Sequence, residues 1–249
     1  MSGHSKWSTI KRQKGVADAR RGQLFTKLTR EIMLAVREGG SSTDSNYALR
    51  LAVQKAKDNN MPLENIERAI KRASGEGGAA NLVEFTLEGY GPSGVAVLIE
   101  ALSDNRNRTV QEVRSLLSRH GGSLGESGCV AWLFDSRGVI TVEVGERGED
   151  DVALMAIDAG AEDVSSDDGY VEIYTEPTKM EDVRKALESD LKVVSAEVSL
   201  IPKTSVMLEE SKAAQVMNLI DALEQLDDVQ HVYSNADFPE SMLEKASRS

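Results

Sequence analysis

GVITVEVGERGEDDVALMAIDAGAEDVSSDDGYVEIYTEPTKMEDVRKALESDLKVVSAEVSL, Gly138–Leu200, is the stretch whose reading decides the fold. Apolar and polar residues alternate from Val139 to Val144, which predicts a strand. Asp150–Ala159 has helical spacing, a strand lies near Val164, and Tyr170–Thr175 alternates again. Lys179–Ser189 is helical and Val193–Leu200 is rich in β-branched residues. The order is βαββαβ, the ferredoxin-like plan.

The segments on either side share a second pattern. After Pro202 come a short strand (Ser205–Leu208), a helix (Glu210–Leu226) and a strand (Val229–Tyr233). Before Gly138, a half-buried strand begins at Leu82 with Val83, Phe85 and Leu87 inward, and Val95–Leu102 forms a nearly all-apolar central strand. A helix through Val110, Val113, Leu116 and Leu117 ends at Gly121-Gly122, and Val130, Trp132 and Phe134 predict one more strand. The helix face Val216, Leu219, Ile220, Leu223 needs a partner, which a free C-terminal appendage would lack. The expectation is therefore a discontinuous α+β domain, residues 81–135 and 203–249, with the ferredoxin-like unit, residues 136–202, inserted into it.

Residues 1–80 form a basic extension and three helices. Leu24, Phe25, Leu28, Ile32, Ala35 and Val36 share one face of the first, which Gly39-Gly40 ends. Residues Ser41–Ser45 offer N-caps for a second helix carrying Leu49, Val53 and Ala56. Pro62 stands in the first turn of a third, whose buried face is Ile66, Ala69 and Ile70. The fold class is α+β multidomain: an N-terminal three-helix domain followed by two interleaved α+β domains.

Charge is segregated. The 249-residue chain carries net charge −12, yet residues 1–80 hold 15 Lys/Arg against 8 Asp/Glu, and residues 81–249 hold 14 against 33. A basic segment on an acidic body points to a polyanionic partner at that end. Aromatic residues are 4% of the chain, Cys129 is the single cysteine, and no apolar run approaches the roughly 20 residues that cross a bilayer. The chain lacks an apolar segment after its basic start. A cytoplasmic protein without membrane contact is expected.

Catalytic chemistry finds no footing. His4, His120 and His231 are scattered, without cysteine or acid pairs at metal-ligand spacing, so no metal and no cofactor is expected. Cys129 follows a glycine and reads as a small filler. Gly89, Gly91 and Gly94 in GYGPSG match a dinucleotide-binding spacing, but a β-branched run follows them instead of a helix, so they read as a strand-to-strand turn. We expect neither an enzyme nor a small-molecule substrate.

Two stretches carry binding chemistry. In SGHSKWSTIKRQKG, Ser2–Gly15, Trp7 stands among Lys6, Lys11, Arg12 and Lys14: charge for phosphates and a ring that can stack on a base, or anchor the segment on the helical domain. Arg20, Arg21, Lys27 and Arg30 continue the charge along the first helix. In Asp104–Thr109, a strand-to-helix turn, Thr109 or Asn107 is the expected cap. Arg106 and Arg108 lie by a helix N-terminus, serving either an anion or salt bridges to Asp104 and Glu112.

GHSKWSTIKRQK, FTKLTREIMLAVREGG, GYGPSGVAVLIE and ALSDNRNRTVQEVRSLLSRHGGSLGESGCVAWLFD closely resemble the YebC/PmpR family. That family takes in bacterial transcriptional regulators and the mitochondrial translational activator of cytochrome c oxidase subunit I. The resemblance spans essentially the whole chain and implies the same helical domain and two interleaved α+β domains. Gly3–Trp7 and Asp104–Thr109 match residue for residue, whereas NYALRLAV lacks the proline of the family form. It implies a DNA-binding transcriptional regulator, or a ribosome-associated translation factor that binds ribosomal or transfer RNA and assists synthesis of proline-rich sequences. The contact would be made by Lys6, Trp7, Lys11, Arg12, Lys14, Arg20, Arg21, Lys27 and Arg30, with Arg106 and Arg108 as a second anionic contact.

Overall fold

A computed structural model of the chain describes residues 18–75, 82–145, 147–167, 169–239, 241 and 242. Helix α1 (Asp18–Gly39) lays its apolar stripe across α2 (Tyr47–Asp58) and α3 (Leu63–Ser74). Leu28, Ile32, Leu49, Ala52, Ile66 and Ala69 form their common core. Asn46 ties the α1–α2 corner. Its Oδ1 accepts from the Leu49 N–H at 3.0 Å, and its Nδ2 donates to the carbonyls of Ala35 and Gly40, both at 2.7 Å. The proline-free NYALRLAV thus starts its helix on an asparagine cap. Pro62 stands at the N-cap of α3, one residue before the expected first turn.

Strands β1 (Val83–Tyr90) and β2 (Ala96–Ser103) form an antiparallel hairpin in register from Val83↔Ser103 to Tyr90↔Ala96. Its turn holds Ser93 and Gly94 at φ of 62° and 74°, so GYGPSG is the expected strand-to-strand turn. Helix α4 (Arg106–Arg119) follows, then β3 (Ser123–Leu124), a short strand the periodicity did not reveal.

The remaining elements are β4 (Phe134–Glu143), α5 (Glu149–Asp158), β5 (Asp163–Asp167), β6 (Tyr170–Thr175), α6 (Met180–Glu188) and β7 (Lys192–Pro202). After them come β8 (Val206–Met207), α7 (Glu210–Glu224), β9 (Val229–Ser234) and β10 (Ala236–Asp237). One four-stranded sheet has the order β5-β6-β4-β7, the ferredoxin-like arrangement, with β4 central and antiparallel to both β6 and β7. The other has the order β3-β1-β2-β9, so the chain leaves for the inserted unit and returns to complete its first sheet. β4 runs unbroken past residue 135, and its first residues already pair with β7.

Val95, Val97 and Ile99 of the central strand and its turn meet Val113 and Leu117 of α4 and Leu219 and Ile220 of α7. The face Val216, Leu219, Ile220, Leu223 is fully buried there. The opposite sheet face is shared: Leu102 joins the helical-domain core, while Ala96 and Leu98 pack with Val130, Phe134 and Tyr233.

Two expectations are corrected. The expected strand through Val130, Trp132 and Phe134 is a 3-10 turn at Ala131–Leu133, and β4 starts only at Phe134. The cause is Glu88, a carboxylate 5% exposed, which accepts N–H bonds from Gly128 (2.6 Å), Val130 (2.7 Å) and Ala131 (2.8 Å). Those donors are withdrawn from any ladder. Second, β8 does not join the central sheet. It pairs in parallel with β10, a strand too short to leave a periodic signal.

Helix α4 closes on the pair Gly121-Gly122. Gly121 is at φ +79°, and the Gly122 N–H donates to the Leu117 carbonyl at 2.7 Å. A Cβ on Gly122 would stand 2.3 Å from the Tyr90 carbonyl oxygen, a backbone atom with no room to yield. Gly122→Ala is therefore expected to destabilise the chain by about 2–3 kcal/mol in urea unfolding. A loss under about 0.5 kcal/mol would show that the β1–β3 contact is not tight.

Candidate nucleic-acid interface

Of the expected contact residues, Lys6, Trp7, Lys11, Arg12 and Lys14 lie outside the described residues. Arg20 is on the first turn of α1 by its backbone, and Arg21 is exposed on the same turn.

Lys27 and Arg30 face the body of the protein. The Lys27 ammonium donates to the Glu224 carbonyl at 2.8 Å, and the Gln23 amide donates to the Gln225 carbonyl at 3.2 Å. Both carbonyls belong to the end of α7, where helix carbonyls lack partners within the helix and the dipole favours a cation. One turn on, Arg30 Nη1 donates to the Asp227 carbonyl at 2.6 Å and to Asp228 Oδ1 at 2.7 Å. These contacts dock the helical domain on the central domain.

Asp228 is the hub of that joint. It is 4% exposed, and its Oδ2 accepts from Arg108 Nη2 (2.7 Å), Thr109 Oγ1 (2.7 Å) and Ser103 Oγ (2.8 Å). Burial alone would push its carboxyl pKa up. The hydrogen bonds from Arg108, Thr109 and Ser103, with the charge of Arg30, outweigh burial and hold it at about 2. Arg108 also pairs with Asp104 at 2.9 Å. For Arg108 the salt-bridge alternative is what the geometry has, with Asp104 and Asp228 as partners instead of Glu112.

Arg106 behaves differently. It occupies the first position of α4, is exposed, and forms no salt bridge among the described residues. Its guanidinium lies over the Phe85 ring, 5.3 Å from the centroid, which fixes the side chain by a cation–π contact while leaving its charge available. The cap of this helix is Asn105, whose side chain accepts from the Arg108 N–H at 3.1 Å. The expected caps are displaced because Thr109 is buried against Asp228 and Asn107 already lies inside the helix.

The sequence reading passed over the end of α3. Lys71 and Arg72 are exposed in its last turn, and Arg72 lines an open cleft of about 430 Å³ together with Thr26, Thr29, Arg30 and Asn65. The spacing Arg68, Lys71, Arg72 on the polar side of a helix was the available signal. Among the described residues no cluster of His, Cys, Asp or Glu is placed to hold a metal, and no helix is long and apolar enough to cross a membrane.

A three-helix unit pinned by cations to an interleaved α+β body defines a multidomain class whose positive excess lies in residues 1–80. The sequence profile described as "TACO1/YebC protein N-terminal domain" matches residues 5–76, and that described as "TACO1/YebC second and third domain" matches residues 82–236. The chain belongs to the TACO1/YebC family, the family that the YebC/PmpR resemblance indicates. A probable transcriptional regulatory protein of Dehalococcoides mccartyi (strain BAV1) is 57% identical over 246 residues, covering 98% of each chain. Another, from Halothermothrix orenii, is 51% identical over 249 residues, again covering 98% of each. The crystal structure of a conserved hypothetical protein, Aq1575, from Aquifex aeolicus is 45% identical with a TM-score of 0.81, covering 89% of this chain and 92% of that one.

Proposed function

We propose that this chain is a non-enzymatic, nucleic-acid-binding regulator of gene expression, of the transcriptional type for which its relatives are named. The observation that carries this reading is the segregation of charge: the positive excess lies in residues 1–80, while residues 136–202 alone hold 6 Lys/Arg against 17 Asp/Glu. The inserted unit is then repelled by the polyanion that the basic end attracts, and this orients the protein on its target. Lys6, Trp7, Lys11, Arg12, Lys14, Arg20 and Arg21 make the main contact. Arg106 stays in the contact, Lys71 and Arg72 join it as exposed cations, and Lys27, Arg30 and Arg108, whose donors are taken up within the protein, serve in positioning.

One observation favours the second reading, a translation factor on the ribosome. A helix that reads a DNA major groove presents its N-terminal residues to the bases. Helix α3 follows a short turn after α2, but it begins with Leu63 and Glu64, and Glu67 is exposed one turn later. Carboxylates there oppose entry into a groove lined by phosphates. Structured RNA makes no such demand.

Cosedimentation with ribosomes, run beside gel shifts on genomic promoter fragments at the same near-physiological salt, tests both. Fragment-specific retention without ribosome association supports transcriptional regulation. Ribosome binding with only nonspecific DNA retention supports the translation reading, and binding to neither removes the proposal. Arg106→Ala is expected to weaken the bound complex several-fold while unfolding stability falls by no more than about 1 kcal/mol, the size of the lost cation–π contact.

A further inference from the structure

The loop from Gly125 to Leu133 is built with unusual care for a segment of small and polar residues. Glu88 is buried to bind three of its N–H groups, and the Gly125 N–H donates to the Glu88 carbonyl at 2.8 Å. Burying a carboxylate is unfavourable unless its hydrogen bonds are all made, so the arrangement fixes the loop closely. The loop displays Trp132, 66% exposed. Its indole Nε1–H donates to the Cys129 carbonyl at 3.1 Å, and the Tyr90 hydroxyl, on a residue 38% exposed, donates to the same oxygen at 3.2 Å. The Lys203 ammonium donates to the Trp132 carbonyl at 3.0 Å and pairs with Asp135 at 3.2 Å, which ties β7's end to this loop.

Two exposed aromatic side chains therefore meet at one carbonyl, held by their polar atoms, with a lysine beside them. The hydrogen bonds take up the polar atoms of the rings and limit their rotation before any ligand arrives. A protein-binding tryptophan is normally the centre of an apolar patch. Trp132 instead follows Glu126, Ser127, Gly128 and Ala131, which are exposed and mostly small or polar. A flat exposed ring, fixed at its polar edge and preceded by small and polar residues, suits a nucleobase, which needs a stacking face.

We infer that Trp132, with Tyr90 beside it, is a stacking platform for an unpaired nucleobase of a single strand. This rests on the nucleic-acid reading above and deepens it: the target includes a single-stranded base in addition to a phosphate backbone.

The chain has two tryptophans, Trp7 and Trp132. The full chain carrying Trp7→Phe makes Trp132 the sole indole reporter. This protein is titrated with labelled oligouridylate, oligodeoxythymidylate and duplex DNA at low salt, following both ligand anisotropy and Trp132 fluorescence. Quenching by a single strand is expected, absent with the duplex. Adding Trp132→Ala should weaken single-strand affinity about 10-fold or more, the value of one stacked base, and leave duplex affinity within about twofold. Trp132→Phe should restore most of the loss, and all variants should keep the parent melting temperature. Stronger binding of oligouridylate identifies RNA as the source of the base, and stronger binding of oligodeoxythymidylate identifies DNA. A single strand that binds with Trp132 unquenched and with equal affinity for Trp132→Ala overturns the platform and leaves the nucleic-acid reading standing. Failure of the protein without the Trp7 substitution to bind any of the three probes removes both.

Discussion

Replacing Asp228 by Ala is expected to destabilise the protein by about 3 kcal/mol, because a buried carboxylate that accepts four hydrogen bonds is lost while its arginine partners, 20% and 43% exposed, are partly rescued by water. Arg30, Arg108, Ser103 and Thr109 all donate to this side chain; Arg30 keeps the Asp227 carbonyl and Arg108 keeps Asp104 when it is removed, but the hub that joins all four is lost. The loss should appear as a fall in melting temperature of roughly 10 °C for a chain of this length. It should also loosen the helical domain from the central sheet, because Arg30 crosses that boundary. Asp228→Asn, which keeps the shape and one acceptor oxygen, should fall between the two.

The same group sets an acid limb. Its carboxyl is held at about 2 against an ordinary 3.8, a depressed value, so its contribution is complete above about pH 4. As pH falls from about 4 to 2 the unfolded chain takes up the proton while the folded carboxyl resists it, so the unfolded state is favoured and the contribution disappears. Asp228 is 4% exposed but Arg108 is 43% exposed, so solvent screening reduces the effect to about 1–2 kcal/mol. Denaturant unfolding at about pH 7 and about pH 3 measures it. Asp228→Asn should flatten the difference. An Asp228→Ala protein within about 1 kcal/mol of the parent would mean that the arginines are satisfied elsewhere and that the hub does not hold the joint.

Glu88→Ala carries the second large effect, about 3 kcal/mol. Three backbone N–H groups lose their acceptor at once; that of buried Val130 is left unpaired at a cost of about 1–3 kcal/mol, and those of exposed Gly128 and Ala131 add less. Burial pushes the Glu88 carboxyl pKa up, but the hydrogen bonds from Gly128, Val130 and Ala131 more than offset that and leave it lowered. Glu88→Gln should recover only part of the stability, since its NH₂ would face donors that need an acceptor. Hydrogen exchange at Val130 should accelerate far more than at Ile140 in the inserted sheet. Equal acceleration at both would show that Glu88 supports the whole fold and not this loop.

These two carboxylates also mark where sequence reasoning stopped. The βαββαβ unit was legible because each element carries its own period and buries its own stripe, as Ile140, Val171, Ile173 and Val183 do. The interleaving was legible because one helix face had no local partner. The spacing Val130, Trp132, Phe134 looks like a strand, and nothing within the segment says that Glu88, on another strand, takes its donors. Lys27 and Arg30 look like the continuation of a basic arm. Only the return of the chain after the inserted unit brings the end of α7 and Asp228 beside them. Arg106 and Arg108 sit two residues apart in one turn of sequence. The helix points Arg108 at Asp228 and Arg106 at Phe85, a division that depends on the helix starting at Arg106. Local pattern yields elements, and long-range polar partners decide which cations remain for a ligand.

The most direct test of the central claim is the salt dependence of nucleic-acid affinity for the full chain, with and without Lys11→Ala, Arg12→Ala and Lys14→Ala together. If the basic end holds the polyanion, log K against log salt falls linearly, and the triple variant is weaker with a slope shallower by about 2–3, from about 0.9 per lost phosphate contact on duplex DNA. An unchanged affinity and an unchanged slope would take the N-terminal segment out of the interface and contradict the account.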